Sequence, residues 1–314
     1  MKTDGKSTHP VILTDIGNGR ILVLDLDRPE PLAPENIVWQ WAPKAEQGWT
    51  LTSQELLVNA LSDVRVRWSR HYNTRVVLFT SARGTVGMAA YPGGECLWED
   101  KVGISPHAME LLPNGDIVVA ASGGSEAHKG KIHYLQRQDD GTYLQTCEHS
   151  LHGAHGVLWD PEYQLLWASG SDDVVAFRPA TDADGRRIVI PEEGRGVKIP
   201  CSYGHDLMQD LSDPDVLWVS PSPEVYQYRK SENQLRTEFP HSDVIHPLLR
   251  AKGIGSFPDG VVVWVAYGHH TSSEHPESFS AMWPKADGTA EVITYTEPGA
   301  GWNKARVFLD GYTS

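Results

Sequence analysis

Four times in this chain, 48, 50 and 47 residues apart, a basic side chain stands just before an apolar strand pattern. These are His107 in Pro-His-Ala-Met, His155 in Ala-His-Gly-Val, His205 in Gly-His-Asp-Leu and Lys252 in Ala-Lys-Gly-Ile. A hydrophobic run ending in a small or polar residue follows each one, at 116–122, 165–169, 216–220 and 261–267. A period near fifty residues marks supersecondary units that cannot bury their apolar faces alone and must stack or close into a ring. In a closed ring, equivalent positions point at one place.

The strand patterns fall into six groups separated by turn residues such as Asn-Gly, Asp-Pro and Asp-Gly. The first group has strands at 11–15, 20–26 and 37–41, and the second runs from 64 to 98. The remaining four begin at His107, His155, His205 and Lys252. The first group lacks an innermost strand, and one strand after 303 is left over at the other end of the chain. Joining the two seals the last seam of an antiparallel array that otherwise exposes an edge. The sequence therefore predicts an all-β fold, a six-bladed β-propeller of about 52 residues per blade, as one domain over 1–314 closed by 303–314 against 11–44. Seven blades, the alternative, would need about 45 residues each and a seventh repeat. The single helical pattern is at 52–61, where a cap-like start precedes apolar spacing of i, i+3 and i+4, and it is expected as an insertion over one face.

Forty per cent hydrophobic residues, with eleven Trp and eleven Tyr, suffice for such a core. No stretch approaches the roughly 20 apolar residues of a membrane span. The polar start Met-Lys-Thr-Asp-Gly-Lys-Ser has no apolar centre for secretion, so the expected location is the cytoplasm, or outside the cell where a leader has been removed. Cys96, Cys147 and Cys201 are odd in number and far apart, so neither a disulfide framework nor a zinc ribbon is expected. A net charge of −14 argues against nucleic acid or an anionic membrane as partner, because both require basic patches.

On the innermost strands of three consecutive blades, His107, His155 and His205 should converge. Imidazole is the commonest metal ligand, and three of them with an open position would hold a divalent ion (Zn, Mn or Ca) able to polarise a substrate or activate water. Arg67 (or Arg65) in the second group, Lys252 in the sixth and Lys304 in the closing strand occupy roughly matching places. A basic ring on an acidic protein would focus positive potential on a small anion. Trp302, beside Lys304, is expected at the pocket rim, where an aromatic face suits a sugar. His71 and Tyr72, in the turn 69–74, and His270, in the segment with His269, Glu274 and His275, are candidate acid–base groups. Neither a phosphate-binding glycine loop nor a Gly-x-Ser-x-Gly elbow occurs.

The segment His107-Ala-Met-Glu-Leu-Leu-Pro-Asn-Gly-Asp-Ile-Val-Val-Ala120, with weaker echoes at His155 and His205, resembles uncharacterised bacterial and fungal propellers. These in turn are similar to the sugar-active oligogalacturonate and rhamnose–glucuronate lyases. That resemblance implies a metal at His107, His155 and His205, a uronate carboxylate neutralised by Lys252 and Arg67, and a base among His71, Tyr72 and His270. Six-bladed propellers of the gluconolactonase and amidating-lyase kinds are similar in architecture.

The leading functional expectation is a metal-dependent lyase acting by β-elimination on a small uronate-containing saccharide at the channel mouth. A metal and a cation would stabilise the developing enolate while a side chain takes the proton. A metal-dependent lactone or ester hydrolase is the second expectation. The third is a non-catalytic propeller that binds a ligand or partner.

Overall fold

The computed structural model describes residues 8–50, 57–123, 129–201, 203–267 and 275–308. They form an all-β, six-bladed propeller of four-stranded antiparallel sheets. The first blade contains β1 (Pro10–Asp15), β2 (Arg20–Asp25) and β3 (Trp39–Trp41), and the second contains β4 (Leu61–Ser69), β5 (Thr74–Ser81), β6 (Thr85–Ala90) and β7 (Cys96–Lys101). The third is β8 (Pro106–Leu111), β9 (Ile117–Ala121), β10 (Lys131–Arg137) and β11 (Tyr143–Ser150). The fourth is β12 (Gly156–Asp160), β13 (Leu165–Ser169), β14 (Asp173–Thr181) and β15 (Arg187–Lys198). The fifth is β16 (Gly204–Gln209), β17 (Val216–Pro221), β18 (Tyr226–Arg229) and β19 (Gln234–Arg236). The sixth is β20 (Ala251–Ser256), β21 (Val262–Ala266), β22 (Ser278–Pro284) and β23 (Ala290–Thr296).

β24 (Trp302–Val307) pairs antiparallel with β1 and becomes the innermost strand of the first blade. The inner strands β24, β4, β8, β12, β16 and β20 each pack on the next, and β20 returns to β24. The expected helix is not present over the described part of its span: residues 57–60 form a turn and Leu61 already opens β4, while 51–56 lie outside the described residues. No helix among the described residues is long and apolar enough to cross a membrane.

The apolar runs have no polar alternation because each blade is covered on both faces. On β13, Leu166 and Ala168 enter the core shared with the third blade, whereas Leu165 and Trp167 enter the core shared with the fifth. Six such clusters, one between each pair of neighbouring blades, make up the core.

The axis is filled differently, by charge. Arg67, Glu110, Arg65, Asp63, Arg306, Asp206 and Lys304 are all buried. They form one continuous chain: Arg67 on Glu110, Arg65 bridging Glu110 and Asp63, Arg306 bridging Asp63 and Asp206, and Lys304 closing on Asp206 at 3.3 Å. Five of the seven come from period-two charges on inner strands, Asp63-x-Arg65-x-Arg67 and Lys304-x-Arg306, whose alternate side chains face the axis, and β8 and β16 supply Glu110 and Asp206.

Candidate functional site

A β-bulge recurs at the start of the inner strands. In β8 the pairing runs Pro106 to Ala121 and then Ala108 to Ala120, leaving His107 unpaired. The same skip leaves out His205 in β16, Lys252 in β20, Ser62 in β4 and Asn303 in β24. A bulge inserts one extra residue and re-aims its side chain. Here all five re-aimed residues, together with His155 just ahead of β12, line one cavity of about 260 Å³ at the mouth of the channel.

Glycines let the inner strands crowd together at this level. A Cβ on Gly156, next to His155, would meet the Leu207 side chain at 2.6 Å, and one on Gly253, next to Lys252, would meet the Ala305 backbone nitrogen at 3.0 Å.

The three histidines gather as the register anticipates. The rings of His107 and His155 stack with centroids 4.0 Å apart and planes 23° apart, and the centroid of His205 is 5.9 Å from that of His155. Each ring has at least one nitrogen engaged. His155 Nδ1–H donates to the Gly153 carbonyl at 2.7 Å, His107 Nε2 meets Ser105 Oγ at 3.1 Å, and His205 Nε2 meets Ser222 Oγ at 2.9 Å. Lys252 Nζ lies 3.0 Å from His205 Nδ1.

A three-histidine metal site needs one free lone pair per ring, all meeting about 2.0–2.1 Å from a common ion. His205 has both nitrogens engaged, and stacked rings do not aim at a shared point, so this arrangement does not fit the expected ion. Among the described residues, no group of three or more His, Cys, Asp or Glu is disposed to hold a metal.

The cavity instead concentrates cations. Arg250, Lys252 and Lys304 line it with His107, His155, His205 and His275, and no carboxylate among the described residues is in the lining. Arg250 and Lys252 both sit over the ring of Tyr267, at 5.2 and 5.6 Å from its centroid. Tyr267 Oη contacts His275 Nδ1.

Burial, then the neighbouring cations Lys304 and Arg250, pull the Lys252 amine down to about 7. Burial also lowers Lys304, to about 8, although Asp206 opposes the shift. His155 and His275 fall to about 4 through burial and the nearby Lys252, and His107 and His205 are held well below their ordinary value by burial and the surrounding positive charge. At neutral pH the imidazoles are uncharged and Lys252 is poised between its two states.

Several expected site residues lie elsewhere. Arg67 is buried against Glu110, lining a separate cavity of about 100 Å³ that also contains His71. Strands rise about 3.3 Å per residue, so the five residues from Ser62 to Arg67 carry it about 16 Å down the axis from the mouth. His71 is beside Arg137 and Tyr72 packs into the core between the second and third blades. None of these three reaches the histidine cluster. Trp302 is not a rim residue: it is fully buried in the core between the sixth and first blades, and its indole N–H donates to the Glu277 carbonyl at 2.9 Å. His270 lies outside the described residues.

Ser62, Asn303, Arg250 and Tyr267 were not anticipated. The ring position in the first and second blades carries uncharged residues, which a search for repeated basic groups passes over. Arg250 left a signal, since it stands two residues before Lys252.

A model of DUF6528, a family of unknown function, matches residues 30–272. No curated protein matches the chain. Among solved structures, a functionally unknown protein from Desulfotomaculum acetoxidans DSM 771 is similar with a TM-score of 0.54 and 13% identity, over 91% of this chain and 78% of that one. That likeness shows the propeller fold, and neither match is to a sugar-active lyase.

Proposed function

The chain belongs to the DUF6528 family of unknown function, and from the chemistry of its mouth cavity we propose that it binds a small carboxylate-bearing compound of sugar-acid size and moves a proton on the carbon beside that carboxylate. The observation that carries this is the convergence of Arg250, Lys252 and Lys304 on a cavity that, among the described residues, is lined by no carboxylate. Such a low-dielectric, single-sign recess favours an anion over its neutral analogue. Its volume of about 260 Å³ falls below the roughly 300–1,000 Å³ of pockets for drug-sized ligands, which suits one sugar unit.

Lys252, at about 7, is a suitable base at neutral pH, because a catalytic pKa near the working pH balances the fraction of free base against its strength. Arg250 and Lys304 would hold the enolate charge that develops. With a leaving group on the next carbon the step is a β-elimination, and Tyr267, which lines the cavity and is hydrogen bonded to His275, would protonate the departing oxygen. In this reading protein cations fill the charge-stabilising role expected of a metal.

Calorimetric titration with galacturonate and with galactose tests the binding, and a 4-linked uronate followed by the absorbance of its conjugated product tests the elimination. The acid should bind and the neutral sugar should not, with affinity falling as salt rises, falling about tenfold in Lys252→Met, and unchanged by a chelator. Equal responses to acid and neutral sugar, or undiminished binding in Lys252→Met, would overturn the proposal. Binding that vanishes with the chelator would return the metal to the site.

A further inference from the structure

Lys252 and Lys304 share the cavity but not the same bonding. Lys304 Nζ donates to the His205 carbonyl at 2.7 Å and pairs with Asp206 at 3.3 Å, which fixes its position as an ammonium at the cavity wall. Lys252 Nζ is re-aimed into the cavity by the bulge in β20, where it has an imidazole nitrogen at 3.0 Å and no ion pair with any carboxylate among the described residues. Proton transfer alone does not require a primary amine here. An amine flanked by other cations and removed from water is also the setting in which lysine becomes a nucleophile toward carbonyl carbon.

We propose that Lys252 forms an imine with the carbonyl group of a small oxo acid whose carboxylate is held by Arg250 and Lys304. The inference rests on the carboxylate-binding function above and adds the substrate class, an acid with a ketone or aldehyde near its carboxylate.

The step balances within the pocket. The Lys252 lone pair attacks the carbonyl carbon, the C–N bond forms, and the C=O pair moves to oxygen, which takes a proton. The nitrogen passes one proton to an acceptor, and its lone pair then expels the hydroxyl, protonated once more, as water when the C–O bond breaks, so that one N–H remains on the iminium. His155, whose Nδ1 proton is spent on the Gly153 carbonyl, keeps Nε2 as a proton acceptor, and the Tyr267 hydroxyl can supply the proton that the departing oxygen needs. The resulting iminium draws electrons from the adjacent carbon: in a 3-oxo acid this is the carbon beside the carboxylate, the one deprotonated in the proposed proton transfer, and in a 2-oxo acid it is the carbon on the far side of the imine. The small volume of the cavity, about 260 Å³, favours compact acids.

Borohydride trapping tests this, because hydride delivered to the imine carbon fixes the adduct as a secondary amine. The intact protein is incubated with pyruvate, 2-oxobutyrate, 2-oxoglutarate or acetoacetate and borohydride, with lactate as the carbonyl-free control, and the modified peptide is mapped by mass. An adduct on Lys252 with at least one oxo acid is expected. It should be absent with lactate and reduced about tenfold or more in Lys252→Arg, which keeps the charge but not the nucleophile. Melting curves run alongside report both the folding of the variant and the binding of each acid. If oxo acids and lactate stabilise the protein alike and nothing is trapped at Lys252, or the label maps to Lys304, the imine is overturned and carboxylate binding stands. If no acid stabilises the protein and nothing is trapped, both fall together.

Discussion

Arg67 meets Glu110 through two hydrogen bonds, Nε to Oε1 at 2.6 Å and Nη2 to Oε2 at 2.7 Å, with both side chains shut away from water. Arg65 Nη1 reaches the same carboxylate at 3.1 Å, so one anion neutralises two cations on the propeller axis. Removing a partner from a buried pair strands charge, which costs about 3–5 kcal/mol. Glu110→Ala is therefore expected to lower stability by that amount in denaturant unfolding. Glu110→Ala combined with Arg67→Met should recover part of the loss, because one stranded cation has gone.

At the mouth the sign reverses. Lys252 is held down at about 7 by burial and then by Lys304 and Arg250, so between about 7 and the ordinary lysine value near 10.4 the unfolded chain binds more protons than the folded one. Stability associated with this group is present above the unfolded value and is lost as pH falls through about 7. Lys252→Met should thus raise stability by roughly 1–2 kcal/mol at pH 7 while weakening anion binding about tenfold, the trade-off common where a site is built at the expense of the fold. The gain should shrink toward pH 10, as read from melting temperatures of both proteins.

The seam of the ring carries the opposite dependence. His9 Nδ1 lies 2.5 Å from Asp27 and Nε2 lies 2.8 Å from Asp259, which clasps the first blade to the turn between β20 and β21. Burial opposes the positive charge, but the hydrogen bonds and charges of the two carboxylates outweigh it and raise His9 above 6.5. The clasp therefore contributes fully below pH 6.5 and is lost as pH rises through the folded value. His9→Ala should cost about 1–2 kcal/mol at pH 5.5 and less at pH 8.5, since Asp259 is largely exposed and its attraction is screened. A stability difference that grows with pH would contradict this.

How far the chain could be read depended on what each position carried. The ring was legible because four of its six mouth positions are basic and fall in register, and His107, His155, His205 and Lys252 do share one cavity. Ser62 and Asn303 occupy the other two positions without a charge to betray them. The repeat pattern also gave no sign that an inner strand runs away from the mouth, and so Arg67 was expected beside the histidines although it lines a separate cavity. Trp302 was misplaced for a related reason: it adjoins Lys304 in sequence, yet it packs into an interblade core. The axial charges were visible in Asp63-x-Arg65-x-Arg67, but a period-two run of charge on a strand ordinarily faces water, and only ring closure turns that face inward. Hydrogen bonding, which decides whether three imidazoles offer their lone pairs to a metal, leaves no trace in spacing.

Two glycines on one strand separate packing at the mouth from packing in general. A Cβ on Gly253 would lie 3.0 Å from the Ala305 nitrogen and 3.1 Å from the Lys304 Cα, backbone that yields only if β24 moves away from β20. One on Gly255 would meet Val307 at 3.4 and 3.6 Å, an ordinary contact. Gly253→Ala should then cost about 1–3 kcal/mol, the usual range for overpacking, and should weaken anion binding by displacing Lys304 relative to Lys252. Gly255→Ala should be close to neutral in both respects, within a few tenths of a kcal/mol, as a less flexible unfolded chain offsets any local crowding. Paired denaturation and titration of the two variants decides the matter: equal losses would mean that the close approach of β20 and β24 does not position the cations.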